Sequence, residues 1–271
     1  MPTDTPPPRV LTIAGSDCSG GAGIQADLKT IAMLGGYGMS AITAATAQNS
    51  IGVQAIVPMS GEFVGTQIRS CISDIGVDAI KLGMLHDEAI ITAVAQALSD
   101  IDPAIPVVLD PVMVASSGAV LIADPAIEIM REQLFGRATL ITPNLPELEH
   151  LHRRTLRTTA LAEAAAEELR QTYGCAVLAK GGHTDDAQII DLLVTGNGPV
   201  QRLTHARIDT RHTHGTGCTL SSAIATLLAH GQPLDHAVKL ARQFVLHAIK
   251  AAPGFGAGSG PLGHHAVRKL E

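Results

Sequence analysis

The sequence predicts an α/β protein whose central sheet is mostly parallel and is covered by helices on both faces. Three observations carry this. Short apolar strands alternate with helical segments of about a dozen residues along most of the chain, several strands are apolar at every position, and glycines or polar residues cluster where strands end. A strand that is apolar on both sides belongs inside a covered parallel sheet. Right-handed crossovers then put the carboxyl ends of the parallel strands on one side.

The elements follow in order. Val10 to Ala14 reads as a strand, Ala22 to Leu34 as a helix, Ser40 to Gln48 as a strand and Glu62 to Ile75 as a helix. Ala79 to Leu82 is the next strand, Glu88 to Leu98 a helix, Pro106 to Leu109 a strand, Pro125 to Leu134 a helix and Ala138 to Thr142 a strand. Then come a helix over Ala160 to Thr172, a strand over Ala176 to Lys180, and a hairpin of Ile189 to Val194 with Gln201 to Ala206 around Gly196-Asn-Gly198. Helices over Gly217 to Ala229 and Leu234 to Ala251 close the pattern. No linker-like shift in composition divides it, so the expected organisation is a flexible proline-rich segment over 1–8, one domain over 9–265 and a tail over 266–271.

Composition limits the partners. The chain has 271 residues, 46% hydrophobic and 16% charged, enough apolar material for a large core. A formal net charge of -6 supplies no broad surface for neutralising phosphates, and 2% aromatic residues with no Trp leave few platforms for stacked bases, so nucleic acid is not an expected partner. No apolar run reaches the roughly 20 residues of a membrane span, and residues 1–8 lack the features of a secretory signal. Cys18, Cys71, Cys175 and Cys218 show neither metal-ligand spacing nor the density of a disulfide framework, which fits reduced thiols and a cytoplasmic setting.

Ligands of open parallel sheets sit beyond the carboxyl ends of the strands. Here those ends carry Gly15 to Gly23, Gln48-Asn49, Gly83-Met84, Asp110-Pro111, Pro143-Asn144 and Lys180-Gly-Gly-His183. The stretch Thr213-His-Gly-Thr-Gly-Cys218 opens a helix, where free N–H groups and the helix dipole favour an anion. Gly215 and Gly217 let those N–H groups approach a phosphate, Thr216 adds a hydroxyl, and Cys218 sits where the dipole lowers a thiol's pKa and makes a thiolate accessible near neutral pH. The loop from Gly15 to Gly23 is neither a P-loop nor a dinucleotide fingerprint, so nucleotide phosphates belong elsewhere.

Lys180, ending a strand ahead of two glycines, is well placed for phosphate. Asn144 and Glu147 admit two readings, oxygen ligands for Mg²⁺ or a helix cap with Glu at its third position. Asp110 is either a turn former or a group facing that metal, and Asp27 either complements its helix dipole or serves the site. His183, His212 and His214 lack metal-ligand spacing and read as solvated or hydrogen-bonding side chains.

Taken together, Ala14-Gly-Ser-Asp17 with Ser19 to Lys29, Gln48-Asn49, Lys81-Leu-Gly-Met84, Asp110-Pro-Val-Met113, Thr142-Pro-Asn-Leu-Pro-Glu147, Lys180-Gly-Gly-His183, Thr213 to Cys218 and Gly258-Ser-Gly-Pro-Leu262 resemble the hydroxymethylpyrimidine/phosphomethylpyrimidine kinases of thiamin biosynthesis. That family is a branch of the ribokinase-like superfamily, and the resemblance runs from about Arg9 to His264.

The resemblance implies a three-layer ribokinase-like sandwich with a small β-hairpin or flap. It implies ATP and Mg²⁺ as cofactors, a small-molecule pyrimidine as substrate, and a homodimer. Family members phosphorylate 4-amino-5-hydroxymethyl-2-methylpyrimidine and then its monophosphate. Cys218 matches the base that in most ribokinase relatives is an aspartate. By the same match Gln48 and Asp27 read the aminopyrimidine edge, and Gly15, Met84 and Val112 line the ring's pocket. Lys180, Asn144, Glu147, Gly215 and Gly217 serve the nucleotide, with Asp110, Glu147 and Asn144 toward the metal. Pyridoxal kinases are the nearest alternative; they tend to lack the glutamine and carry a second cysteine at the position of Ala115. Many relatives have a basic residue where Ser116 stands, so a charged flap is not expected here. A thiol enzyme with Cys218 as nucleophile and His214 or His183 as base leaves Lys180, Asn144 and Glu147 without a task, and the intact Gly215-Thr-Gly-Cys218 argues against a silent pyrimidine-binding regulator.

Overall fold

The computed structural model describes residues 6–114, 118, 120–182 and 187–267; Ala115 and Ser116 of the expected flap, His183, and the tail residues 268–271 lie outside the described residues. The elements are β1 (Arg9–Asp17), α1 (Gly23–Met33), β2 (Tyr37–Gln48), β3 (Val53–Pro58), α2 (Gly61–Asp74), β4 (Ala79–Leu82), α3 (Glu88–Ser99), β5 (Val107–Leu109), α4 (Asp124–Gln133), β6 (Leu140–Ile141), α5 (Leu145–His152), α6 (Thr159–Tyr173), β7 (Ala176–Ala179), β8 (Gln188–Val194), β9 (Gln201–Ala206), α7 (Thr216–Ala229) and α8 (Leu234–Lys250). The strands form one sheet in the order β3-β2-β1-β4-β5-β6-β7-β8-β9. Pairs from β2 to β7 are parallel, while β3, β8 and β9 join antiparallel at the two edges.

Alternation along the strands builds three layers. Leu11 and Ile13, Ile80 and Leu82, and Val107 and Leu109 pack on one face with α2 to α6. Val10, Ala79, Val108 and Leu178 pack on the other with α7 and α8. Burial of each such branched side chain stabilises the fold by about 1.5–3 kcal/mol. Polar Thr12 and Lys81 fall in the second register, which turns them toward α1 and α7. Helix starts are set locally: Ser60, Asp87 and Thr158 each accept a hydrogen bond from a first-turn N–H.

The expected alternation holds, with two additions. β3 was not expected. Its residues are half to fully exposed and it ends in Pro58, a pattern tolerated at a sheet edge and nearly silent in the sequence. The helix begun by Asn144 runs as α5 only to His152, where Arg153 turns left-handed with φ 51.

Candidate active site

The chain leaves β1 toward β2 on one side and returns to β4 on the other, so a crevice opens at the carboxyl ends of β1 and β4. A cavity of about 780 Å³ occupies it. Its walls come from the ends of β1 (Gly15 to Asp17), β2 (Thr46, Gln48), β4 (Met84), β5 (Asp110, Val112), β6 (Asn144, Glu147) and β7 (Lys180), and from the start of α7 (Gly215 to Cys218). The strand-end clusters thus converge as the sequence predicts.

At the α7 end of the cavity, the geometry depends on glycines that carry no side chain. Gly215 caps α7 with φ 84, and a Cβ there would lie 1.9 Å from the carbonyl oxygen of Gly21. At Gly217 a Cβ would come within 3.1 Å of Asp110 Oδ2 and 3.3 Å of Lys180 Nζ, so the bare backbone keeps the helix tip open to that charged pair. Lys180 Nζ donates to Asp110 Oδ1 at 2.6 Å, and the Thr142 hydroxyl donates to the same oxygen at 2.9 Å. Burial alone would lower the pKa of the Lys180 ammonium, but Asp110 and Glu147 outweigh it and raise it. The Thr216 hydroxyl donates back to the carbonyl of Thr213 at 2.7 Å, so its proton serves the turn.

Cys218 is half-buried on the cavity wall. Its thiol is not acidified. Burial pushes it up to about 11, Asp27 and Asp110 add to the rise, and Lys81 and the N–H of Gly23 oppose it. The expected thiolate near neutral pH is therefore corrected: desolvation beside two carboxylates exceeds the effect of the helix tip.

Asn144 and Glu147 form a capping box. Asn144 Oδ1 accepts from the N–H of Glu147 at 2.9 Å, and Glu147 Oε2 accepts from the N–H of Asn144 at 2.8 Å. The side-chain oxygen of Asn144 is thereby committed to the helix. Glu147 still lines the cavity, pushed up to about 7 by burial and by Asp110, with Lys180 opposing. Two carboxylates with too little positive charge between them fit a hard divalent cation. Among the described residues no three His, Cys, Asp or Glu side chains enclose a metal. An Asp110–Glu147 wall therefore suits an ion that fills its shell with water and phosphate.

At the other end, Met84 and Val112 pack with Ala44 and Leu121. Gly15 is bare because a Cβ there would sit 2.5 Å from Met84 Cε. Gln48 also faces the cavity. Asp27 does not, which corrects its expected contact with the substrate. It is fully buried, with Oδ1 accepting from the Ser222 hydroxyl and Oδ2 from Thr12 at 2.6 Å and Lys81 Nζ at 2.8 Å. A buried lysine on the same sheet face needs that counter-charge.

Three features lay beyond the sequence reading. His214 is hydrogen-bonded, as expected of it, but its partner is Asp17 in the first glycine loop, at 2.8 Å. Ile208, Leu220, Val245, Leu246 and Ile249 add an apolar wall to the cavity; the last four read only as part of helices and Ile208 lay between elements. Finally, the glycine-rich segment Gly254 to Gly263 straps two loops together. The N–H of Gly258 donates to the Ser50 hydroxyl at 3.3 Å, Arg211 donates to the carbonyls of Ala257 and Gly256, and the N–H of His214 donates to the carbonyl of Gly260 at 3.1 Å. His212 is half-buried nearby, and its Nδ1 has no partner among the described residues.

A parallel-centred three-layer sandwich with a glycine-bordered helix tip facing a lysine–carboxylate pair is the architecture of ribokinase-like small-molecule kinases, and this chain has that fold and that class of site. The model of the phosphomethylpyrimidine kinase family matches residues 17–263, and the chain belongs to that family. It is 47% identical over 269 residues to the hydroxymethylpyrimidine/phosphomethylpyrimidine kinase of Streptomyces coelicolor, covering 97% of this chain and 98% of that one. It is 45% identical over 255 residues to the thiamine biosynthesis bifunctional protein ThiED of Geobacter sulfurreducens, covering 94% of this chain but only 52% of that protein's length. Among solved structures, the pyridoxal kinase from Staphylococcus aureus in complex with AMP-PCP and pyridoxal superposes with a TM-score of 0.88 at 35% identity, covering 98% of this chain and 96% of that one.

Proposed function

We propose that the chain transfers the γ-phosphoryl group of ATP to the hydroxymethyl group of 4-amino-5-hydroxymethyl-2-methylpyrimidine, and then a second phosphoryl group to the monophosphate, in thiamin biosynthesis. One observation carries the reading: Cys218 and the bare tip of α7 open onto the same cavity as Gln48, Met84 and Val112, so an acceptor alcohol and a phosphate meet there. Cys218 accepts the alcohol's proton, the alcohol oxygen bonds to the γ-phosphorus, and the bond to ADP breaks. N–H groups from Gly215 to Cys218 and the ammonium of Lys180 stabilise charge on the moving phosphoryl group. Gln48 matches the aminopyrimidine edge with one donor and one acceptor. The apolar side chains of Ile208, Val245, Leu246 and Ile249 suit a purine ring.

Asp110 and Glu147 would hold Mg²⁺, which when bound neutralises phosphate charge. Asn144 fixes Glu147 through the capping box and also lines the cavity on the nucleotide side. Four free thiols support a reducing, cytoplasmic setting. Exposed Val57 on the edge strand β3, with Ile51 and Phe63 on either side of it in the chain, supports a homodimer. No helix of the described residues is long and apolar enough to cross a membrane.

Pyridoxal phosphorylation is the second reading, favoured by the similarity to the pyridoxal kinase structure. A coupled ATP-consumption assay with the hydroxymethylpyrimidine, its monophosphate and pyridoxal side by side separates them. Turnover of both pyrimidines is expected. Turnover of pyridoxal alone overturns the substrate assignment and leaves the kinase assignment standing.

A further inference from the structure

His214 lies between the two glycine-bearing loops and is 5% exposed. Its Nε2 is 2.8 Å from Asp17 Oδ2 and 3.3 Å from the atom placed as Gln48 Nε2. The ring packs on Gly21, where an added Cβ would sit 2.4 Å from its Cδ2, so only a glycine leaves room for it there. Asp17 already accepts four other hydrogen bonds. Its Oδ1 takes the N–H and hydroxyl of Ser19 at 2.9 and 2.8 Å, and its Oδ2 takes the N–H groups of Gly21 and Ala22 at 3.1 and 2.8 Å. A carboxylate ringed by donors is an anion. Burial pushes Asp17 up, but the hydrogen bonds from His214, Ser19 and Ala22 outweigh it and hold its pKa below the ordinary value.

An anionic carboxylate only accepts, so the hydrogen between the two side chains sits on His214 Nε2. That nitrogen then has no lone pair for Gln48. As placed, the amide sets its NH₂ against that N–H and its oxygen 3.2 Å from Thr46 Oγ1; the reversed assignment, oxygen toward the imidazole and NH₂ toward Thr46, removes the donor–donor contact. Thr46 is free to accept because its own hydroxyl donates to the carbonyl of Ser16 at 3.0 Å. Each end of the amide is thereby assigned, leaving one N–H and one oxygen lone pair for the cavity in a fixed order.

We propose that His214, held by Asp17, is a positioning residue that fixes which way the Gln48 amide is turned and so sets the donor–acceptor order shown to the substrate's heterocycle. The inference rests on the reading of Gln48 as a substrate contact. A 4-aminopyrimidine carries an amino donor beside a ring-nitrogen acceptor, and only one orientation of the amide meets both. Reversal sets donor against donor. A plain scaffolding role predicts nothing about Gln48, because Asp17 retains four donors without the imidazole.

The test is a double-mutant cycle on the full chain with His214→Phe, Gln48→Ala and the pair, read as KM for the hydroxymethylpyrimidine, KM for ATP and thermal midpoint. With Gln48 present, His214→Phe should raise the pyrimidine KM by roughly 10- to 100-fold, and without it by less than about twofold, while the ATP KM stays within about twofold. His214→Gln, which keeps a donor toward Asp17, should recover most of the loss. Asp17→Asn replaces the anion with a neutral amide, so the hydrogen is no longer held on His214 Nε2, and it should raise the pyrimidine KM in the same way, which keeps the test alive if the Phe variant does not fold. Equal effects of His214→Phe in both Gln48 backgrounds, or a rise in ATP KM matching that for the pyrimidine, overturns the inference. A wild-type chain inactive on the pyrimidine overturns the substrate reading instead.

Discussion

At Cys218 two physical effects compete. The N-terminus of α7 favours a thiolate, and burial beside Asp27 and Asp110 disfavours it; burial wins, placing the thiol at about 11. The sign of the pH dependence follows. A base that must be ionised, with a pKa far above neutrality, becomes about tenfold more available with each pH unit gained. The wild-type kcat/KM for the pyrimidine should therefore rise from pH 6 to pH 9, reporting the free enzyme. Cys218→Ala should flatten that rise and lower kcat by about 10²- to 10⁴-fold, with pyrimidine binding measured by calorimetry little changed. A flat wild-type profile together with near-normal turnover of the alanine variant removes Cys218 from this role.

Among the elements, α7 is the one whose start has no substitute residue. Gly215→Ala meets both a left-handed backbone and the carbonyl of Gly21, so it should cost more than about 1 kcal/mol in urea unfolding and abolish measurable turnover. Thr158→Ala, at the start of α6 and far from the chemistry, removes one cap hydrogen bond. It should cost about 1 kcal/mol and leave kcat unchanged. The contrast separates a cap that only holds a helix from one that also holds a site.

Most elements were legible because their pattern was strong. β5 and β7 are apolar at successive positions, Val10 to Ala14 and Ala79 to Leu82 are interrupted only at Thr12 and Lys81, and α2, α3 and α6 carry a polar cap ahead of an amphipathic run. β3 was not legible, because an exposed edge strand ending in proline buries too little to leave a pattern. Asn144 and Glu147 show the opposite limit: the sequence spacing fits a cap and a metal wall equally, and only the geometry shows the cap in place.

Across the whole molecule, a buried polar knot ties the layers. Thr12 of β1, Asp27 of α1, Lys81 of β4 and Ser222 of α7 meet beneath Cys218, and Ser222 also donates to the carbonyl of Cys218 at 2.7 Å. Burial would lower the pKa of Lys81, but Asp27, Cys218 and Asp110 raise it above its ordinary value. Removing one partner leaves a buried charge alone, so Lys81→Met should destabilise the protein by about 3–5 kcal/mol in calorimetric unfolding. Lys81→Met with Asp27→Leu should recover much of that stability. A double variant no more stable than Lys81→Met refutes the pairing.

The knot also explains why the sequence misassigned Asp27. Composition does not tell which carboxylate neutralises which lysine, and the answer comes from strand register. His214 was missed as a partner of Asp17 for a similar reason, since 197 positions separate them.

The strap of residues 254–263 lies downstream of every other wall of the cavity, yet it ties the Ser50 turn beyond Gln48 to the Arg211–His214 approach to α7. The strand order of the sheet owes nothing to this stretch, whereas the join between the two sides of the pocket does.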